Sequence, residues 1–207
     1  MKIHFFNDAP HTPFILFCSG FGILPQAFNP KKPLAMVYDY RDFSNADEIC
    51  ALAQNAHTLI AWSMGVAFAS RILYTPTYAP TKAIAINGTP LGIDTQYGIH
   101  PKLFRRTIQH FDRKSFMQGC FGESNNDSYL SPTHMLQEEL QSLESFCAHT
   151  PLAHQSKWHE AYISQKDMIF SPTAQNLAWE TYAKTHPSFS MHTLTSPHFV
   201  FDTLEIL

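Results

Sequence analysis

The feature that most constrains the fold is a series of short, mainly apolar runs, each followed by a small or polar turn. Continuous apolar runs of this length are typical of strands that are buried on both faces of a sheet. Because helical patterns lie between many of them, the sequence predicts an α/β fold, with a mostly parallel central sheet and helices on both faces. The four clearest runs are residues 14–18, 34–38, 57–62 and 82–86.

The remaining elements follow from periodicity and from breaker residues. Residues 1–6 predict an edge strand, and residues 157–163 and 188–194 predict two later strands. Helices are predicted at 45–55, with Asn45 as a plausible N-cap, from Ser63 to about Leu73, at 172–184 with Pro172 in the first turn, and from Phe199 to the end.

Residues 90–150 differ from the rest, because the strand pattern stops and the segment becomes polar and mostly helical. A chain of 207 residues is long enough for one sizeable core and short for two. The prediction is therefore a single domain over residues 1–207, with a small helical lid insertion at about 92–153.

Composition argues against several classes of protein. Fourteen Lys and Arg residues against seventeen Asp and Glu residues disfavour a nucleic-acid binder. No apolar run is long enough to span a membrane, and the N-terminus becomes polar too early for a signal peptide. Four cysteines without a CxxC pair are typical of reduced thiols in a cytoplasmic protein, and no His pattern predicts a metal site.

Ser63 is the candidate nucleophile. It lies in Ala61-Trp62-Ser63-Met64-Gly65, between a predicted buried strand and a predicted helix. A sharp turn from strand to helix lifts the serine hydroxyl clear of the sheet, and it needs small residues two positions away on either side. Ala61 departs from the usual glycine at one of these positions. The alternative role for Ser63 is that of a helix N-cap.

A serine hydroxyl needs a base, and the base needs a carboxylate to orient it. His198 follows the last predicted strand, and Asp167 follows the strand before it. The order Ser63, Asp167, His198 is that of the α/β-hydrolases. Asp94, after the fourth strand, is the alternative acid, while Asp167 could instead be a turn or cap residue and His198 a surface histidine.

Hydrolysis of an acyl bond also needs N–H donors for the developing oxyanion. The N–H of Met64 opens the predicted helix and is one candidate. The second is the N–H of Phe21, in the glycine-rich stretch Ser19-Gly20-Phe21-Gly22 that ends the 14–18 strand. This stretch resembles the HG-type loop of hydrolases, with Ser19 in place of the usual histidine, or it is a plain glycine-rich turn.

Residues 102–114 concentrate five basic residues around one acidic residue. At helical spacing Lys102, Arg106, Gln109 and Arg113 form one stripe, with Arg105 nearby, and Phe104, Ile108 and Phe111 lie on the opposite side. The basic side is either the solvated face of a lid helix or a docking surface for an acidic carrier. The residues of the apolar side, together with Phe116, Met117 and Phe121, either line a channel for an aliphatic chain or form the core of the lid.

Together these residues resemble the BioG-type pimeloyl-[acyl-carrier-protein] methyl ester esterases of biotin synthesis, which are α/β-hydrolases. The resemblance covers nearly the whole chain. Residues 85–94 are its most specific segment, since general hydrolases have no reason to share it. The segments that carry it are 17–22 (FCSGFG), 37–40 (VYDY), 61–65 (AWSMG) and 85–94 (AINGTPLGID).

The resemblance implies hydrolysis of the methyl ester at the far end of a pimeloyl chain on acyl carrier protein, releasing methanol without metal or cofactor. It implies Ser63 as nucleophile, His198 as base and Asp167 as the orienting acid, with Phe21 and Met64 donating to the oxyanion. We also expect substrate contacts from Trp62, Phe104, Ile108 and Phe111, and carrier docking at Lys102, Arg105, Arg106 and Arg113.

Two other functions stay open at this point. The same three catalytic residues would serve a broad carboxylesterase or a thioesterase, because they do not distinguish an ester from a thioester. A non-catalytic binding protein on a hydrolase fold is the third possibility, since fold alone does not establish activity.

Overall fold

The apolar runs form the middle of one seven-stranded sheet. The computed structural model describes residues 1–11, 13–74, 78, 80–122, 127–153 and 156–207. The strand order is β1-β3-β2-β4-β5-β6-β7, with β1 antiparallel to β3 and every other neighbouring pair parallel. The strands are β1 (Lys2–Phe6), β2 (Ile15–Cys18), β3 (Leu34–Tyr38), β4 (Thr58–Trp62), β5 (Lys82–Ile86), β6 (Glu160–Ser164) and β7 (Ser190–Leu194).

Six α-helices lie in the described part of the chain, and three of them come between β5 and β6, in the segment predicted to be a lid. Within that segment, residues 123–126 lie outside the described residues. The helices are α1 (Ala46–Ala53), α2 (Met64–Ile72), α3 (Pro101–Gln109), α4 (Arg113–Phe121), α5 (Thr133–His149) and α6 (Pro172–Ala183).

The central strands are buried on both faces, because their side chains alternate between two hydrophobic cores. Leu16 and Cys18 of β2 belong to the first core, and Ile15 and Phe17 belong to the second. Side chains of α1, α2, α3, α5 and α6 pack into the first core. Among the described helices, α4 alone contributes buried side chains to the second core.

Two of the predicted helices are not found in the structure. The predicted helix from Phe199 is wrong: the chain there forms turns, and Phe199 and Val200 are buried in the second core. The single helix predicted across residues 102–114 is also wrong. Asp112 starts a new helix, α4, because its carboxylate accepts a hydrogen bond from the Lys114 N–H as an N-cap.

A buried arginine ties both ends of the inserted segment to α2. The guanidinium of Arg71 donates to the carbonyls of Pro90 and Leu91, where the insertion begins, and to Thr150, just after α5. It also donates to the carbonyl of Ala67 in its own helix. Only the bond to Ala67 is fully buried and the other three are partly buried, so neutral acceptors anchor both ends of this segment to α2.

We expect Arg71→Met to lower the free energy of unfolding by about 2–4 kcal/mol, because four buried or partly buried carbonyls lose their donor at once. Urea unfolding at neutral pH measures the change. Arg105→Met is the matched control, because Arg105 is exposed and pairs with Glu144, so its loss should cost at most about 1 kcal/mol. Equal destabilisation of the two variants would contradict the anchoring role of Arg71.

Candidate active site

Three polar side chains follow the carboxyl ends of three parallel strands. Ser63 directly follows β4, Asp167 follows β6, and His198 follows β7. The carboxyl ends of parallel strands lie on one edge of the sheet, where α/β proteins form their sites. All three residues are buried, although they are polar, so their partners determine what they can do.

Ser63 occupies a strained backbone position. Its φ is 59° and its ψ is −129°, a left-handed conformation that non-glycine residues rarely adopt. The N–H of Ser63 donates to the carbonyl of Ile86 at 2.9 Å. Its side chain makes no capping hydrogen bond to α2, so the hydroxyl is not used as an N-cap.

Small residues around Ser63 permit this turn. A Cβ on Gly65 would lie 2.2 Å from the carbonyl oxygen of Cys18, which no real side chain tolerates. A Cβ on Gly20 would likewise lie 2.9 Å from the Cβ of Ser63. The methyl of Ala61, where glycine is usual, is fully buried in the first core, so this departure is accommodated.

His198 is paired with a carboxylate. Its Nδ1 lies 2.8 Å from Oδ2 of Asp167, and both side chains are almost completely inaccessible. Because a carboxylate can only accept, the ring hydrogen lies on Nδ1 and the lone pair on Nε2. This tautomer is the one that a general base needs.

Asp167, and not Asp94, lies against His198. Its other carboxylate oxygen accepts from the N–H groups of Ile169 and Phe170, each at 2.8 Å. Asp94 accepts from the N–H groups two and three residues further along its own turn. Asp167 therefore serves both as a turn residue and as the partner of the histidine.

Two further residues hold the histidine, and sequence reasoning assigned neither this role. The carbonyl of His198 accepts from Nε1 of Trp62 at 3.0 Å and from Nδ2 of Asn87 at 2.7 Å. Asn87 also exchanges hydrogen bonds with Ser164 at the end of β6. The position of Asn87 within residues 85–94, the most specific segment of the resemblance, was the available indication of a role. The sequence did not show that Asn87 would contact the end of β6.

A second amide supports Asp167. Nε2 of Gln175, in α6, donates to Oδ2 of Asp167 at 3.0 Å and to the carbonyl of Phe170 at 2.9 Å. The ring of Phe170 stacks parallel to that of His198, with 6.2 Å between centroids. The imidazole is therefore fixed by its carboxylate, its own carbonyl and a parallel aromatic ring.

The N-terminus of α2 points its free N–H groups at this position. Met64 is the first residue of α2, so its N–H has no acceptor within the helix and carries the positive end of the helix dipole. Phe21 lies in the loop after β2, and both residues line the same cavity as Ser63 and His198. The arrangement could therefore receive a developing negative charge on an oxygen bonded to Ser63.

The cavity over Ser63 has a volume of about 390 Å³ and mainly apolar walls. The rings of Phe21, Phe111 and Phe116 pack edge-on or tilted, with 5.2–5.9 Å between centroids, and form one wall. Trp62 and Phe104 also line it. A cavity of this size and character suits an aliphatic chain.

Some of the predicted wall residues lie elsewhere. Ile108 does not line the cavity. It is partly buried and packs against the first core, whereas Phe104 and Thr107 of the same helix line the cavity. Met117 and Phe121 belong to the second core, so of the three further aromatic and Met candidates only Phe116 lines the cavity.

The predicted basic stripe is also divided. Arg113 begins a separate helix, and its guanidinium binds Asp127 and the carbonyl of Ser131, so its charge is engaged within the fold, and its docking role stays a prediction. Lys102 and Arg105 are exposed on α3. Arg106 is exposed and also lines the cavity, which puts a cation at the cavity mouth.

All four cysteines are free thiols. Cys120 lines the cavity, but burial, helped by the nearby charge of Asp167, raises the pKa of its thiol well above the ordinary value. The neutral thiol is a weak nucleophile, so Ser63, which lines the same cavity as His198, stays the candidate nucleophile. In the described ranges no group of His, Cys, Asp and Glu could hold a metal ion, and no helix is long and apolar enough to cross a membrane.

Comparison with known proteins assigns the chain to a family. The family model described as "Pimeloyl-ACP methyl esterase BioG" matches residues 1–204. The chain belongs to the BioG family. The crystal structure of BioG from Haemophilus influenzae superposes with a TM-score of 0.82 at 26% identity, covering 99% of this chain and 97% of that one.

Two further relatives give context to this BioG-family chain. A malonyl-[acyl-carrier protein] O-methyltransferase of Bacteroides fragilis is 30% identical over 181 residues, which is 81% of this chain but 36% of that protein. The chain thus spans little more than a third of that relative's length. The RedJ thioesterase of Streptomyces coelicolor has a TM-score of 0.57 at 15% identity, covering 96% of this chain and 85% of that one. This likeness shows the α/β-hydrolase fold alone.

The two candidate acids can be compared directly. We expect Asp167→Asn to slow covalent labelling of Ser63 by a fluorophosphonate about 10³- to 10⁴-fold, because an amide does not hold the same tautomer of His198 or stabilise its charged form. Asp94→Asn, the control, should label within about twofold of the unmodified protein. Labelling rates from intact-protein mass spectrometry measure both, and the reverse order would make Asp94 the relevant acid.

Proposed function

We propose that this chain is a serine esterase that hydrolyses the methyl ester of pimeloyl-[acyl-carrier protein] methyl ester, releasing methanol and pimeloyl-[acyl-carrier protein] for biotin synthesis. The observation that carries the proposal is the strained Ser63 turn beside the buried His198–Asp167 pair, at the end of an apolar cavity. Membership of the BioG family supports the choice of substrate.

The first half of the reaction forms an acyl-enzyme. Nε2 of His198 takes the proton of the Ser63 hydroxyl as Oγ attacks the ester carbonyl carbon. The N–H groups of Phe21 and Met64 receive the oxyanion of the tetrahedral intermediate. When the intermediate collapses, the bond to the methoxy oxygen breaks, and His198 gives its proton to that oxygen to form methanol.

The second half regenerates Ser63. His198 takes a proton from water, and the hydroxyl attacks the acyl carbon through a second oxyanion. The bond to Oγ of Ser63 then breaks, and the proton on His198 returns to Oγ. Asp167 stays ionised throughout and stabilises the imidazolium formed in both halves.

The cavity and its mouth support a carrier-bound substrate. The aromatic wall suits the methylene chain between the ester and the carrier linkage, whereas the cation of Arg106 lies at the exposed mouth. Lys102 and Arg105 extend the basic surface from there along α3. Acyl carrier proteins are acidic, so this surface is complementary to them.

A relative's name supports a methyl ester. The Bacteroides fragilis protein, of which a region matches this chain, is named for methyl transfer to malonyl-[acyl-carrier protein]. A methyl group placed on a carrier-bound acid must later be removed if the free acid is needed. A region similar to this chain within a protein of that name fits the proposed step.

The deciding experiment is mass spectrometry of methyl-pimeloyl-[acyl-carrier protein] after incubation with the protein or with Ser63→Ala. We expect a loss of one CH2 unit with the unmodified protein and no change with the variant, because Ser63 forms the acyl-enzyme. Loss of the whole acyl group would show a thioesterase. Cleavage of p-nitrophenyl acetate without change to the carrier substrate would show a general esterase, and inactivity on both substrates would indicate a binding protein.

The basic surface can be tested separately. Lys102→Ala with Arg105→Ala should lower kcat/KM on the carrier substrate about five- to twentyfold, since charges at an interface rim act mainly on association. Turnover of p-nitrophenyl acetate should hardly change. The difference should shrink as the salt concentration rises from about 50 to 500 mM.

The control for this pair is Lys31→Ala with Lys32→Ala. It removes the same charge from exposed lysines just before β3, at the opposite edge of the sheet from Ser63. The control should leave both substrates unaffected. Equal losses in the two double variants would mean that only net charge matters, and the docking surface would be rejected.

A further inference from the structure

Glu139 is a buried carboxyl group that the proposed mechanism does not use. It lies in the middle of α5, within the inserted segment, and only 1% of its surface is exposed. An acidic side chain in the core is costly unless hydrogen bonds replace the water that it loses. Its partners therefore indicate its purpose.

Those partners are backbone groups of the loops after β2 and β3. Oε1 of Glu139 accepts from the N–H of Gly22 at 3.3 Å and from the N–H of Tyr40 at 3.2 Å. Gly22 directly follows Phe21, whose N–H is a proposed oxyanion donor. One carboxylate oxygen thus connects α5 to the loop that forms half of the proposed oxyanion hole.

The carbonyl of Gly22 is held by the same inserted segment. It accepts from the N–H of Ser131 at 3.0 Å, so both backbone polar groups of Gly22 are bound by residues just before or within α5. Gly22 has a φ of 71°, and a Cβ there would lie 2.4 Å from Cδ2 of Leu136. The backbone of the loop therefore packs directly on α5.

Tyr40 supports the other end of the loop. Its N–H donates to Glu139, and its hydroxyl donates to the carbonyl of Ser19 at 2.8 Å. Tyr40 is fully buried. The stretch from Ser19 to Gly22 is thus held at both ends by hydrogen bonds that lead to one carboxylate.

We propose that Glu139 is a positioning residue for ester hydrolysis: its carboxylate orients the peptide at Gly22, so that the N–H of Phe21 faces the oxyanion formed at Ser63. The inference rests on the proposed function, since it concerns the oxyanion of that reaction. Oxyanion donors must be fixed in advance, because a small rotation of a peptide plane removes an N–H from hydrogen-bonding range.

Other charges face Glu139 from the turn after β3. Burial raises the pKa of Glu139 to about 7, and Asp39 adds to this, whereas the N–H groups of Tyr40 and Gly22 and the charge of Arg41 oppose it. Arg41 itself pairs with Asp39 and with Glu138, the neighbour of Glu139 on α5. Glu139 therefore changes charge near neutral pH, whereas the pKa of Asp39 is lowered to about 2 by the Arg41 guanidinium.

The charge of Glu139 affects both its hydrogen bonds to the loop and the stability of the fold. Above about pH 7 Glu139 is ionised and makes charge-assisted hydrogen bonds, which are stronger than those to a neutral acceptor. Its folded pKa is raised above the unfolded value, so its contribution to stability is lost as the pH rises through about 7. The ionised form thus costs stability while it holds the loop.

The test compares Glu139→Gln with the unmodified protein on p-nitrophenyl acetate at about pH 8 and pH 6. The amide keeps the shape and an acceptor oxygen but never ionises. We expect kcat of the variant to be about tenfold below that of the unmodified protein at pH 8 and within about twofold of it at pH 6. KM should change little at either pH. Any pH effect that the two enzymes share cancels in the ratio of their rates.

Glu138→Gln is the matched control, since Glu138 is the adjacent carboxyl group on α5 and pairs with Arg41 on the surface. Its rate ratio should stay near one at both pH values. Thermal unfolding at pH 8 should show Glu139→Gln at least as stable as the unmodified protein, so a slower rate there cannot come from misfolding. The amide NMR signal of Gly22 should shift with a midpoint near pH 7 only when Glu139 is present.

Several results would overturn the proposal. They are a rate ratio that does not change between pH 6 and pH 8, an effect on KM alone, and a Glu139→Gln variant that is faster at pH 8. In each case the unmodified protein would still hydrolyse the ester, so the proposed function would stand. An unmodified protein that hydrolyses no ester would instead overturn the proposed function and this inference with it.

Discussion

The rest of the structure depends on how closely α2 approaches the end of β2. A Cβ on Gly65 would lie 2.2 Å from the carbonyl oxygen of Cys18, and one on Gly88 would lie 2.3 Å from the carbonyl oxygen of Ser63. Backbone therefore packs on backbone, and the turn between β4 and α2 has room only for the left-handed conformation of Ser63. The same approach brings the loop after β2 beside the serine, so the proposed nucleophile and the proposed oxyanion donors are placed by one steric constraint.

The segment between β5 and β6 contributes side chains to both hydrophobic cores and also lines the cavity. Its helix α4 supplies buried side chains to the second core, where the turns after His198 also pack. Glu139 of α5 binds the loop after β2 at Gly22. Arg71 of α2 binds both ends of the segment, at Leu91 and Thr150. The proposed chemistry and the anchoring of this segment are therefore physically coupled.

The strands could be predicted because each is a contiguous apolar run, and burial on both faces leaves little choice of local structure. The break between α3 and α4 could not, since the helical spacing of basic residues continues across it, although α3 ends at Gln109 and the Asp112 cap begins α4. Likewise, Phe199 and Val200 are apolar enough for a helix face, but the second core buries them equally well in turns. Periodicity describes which side chains are buried, and it is insensitive to such interruptions.

The sequence by itself determined the sheet, the strained position of Ser63 and the strand ends that carry Asp167 and His198, because these follow from short-range sterics and local burial. Only the tertiary structure decided that Asp167 and not Asp94 meets His198, that Arg113 is used internally, and that Glu139 holds Gly22. Those pairings join residues up to 117 positions apart. Whether two such groups lie within hydrogen-bonding distance depends on the packing of whole elements, which no local pattern encodes.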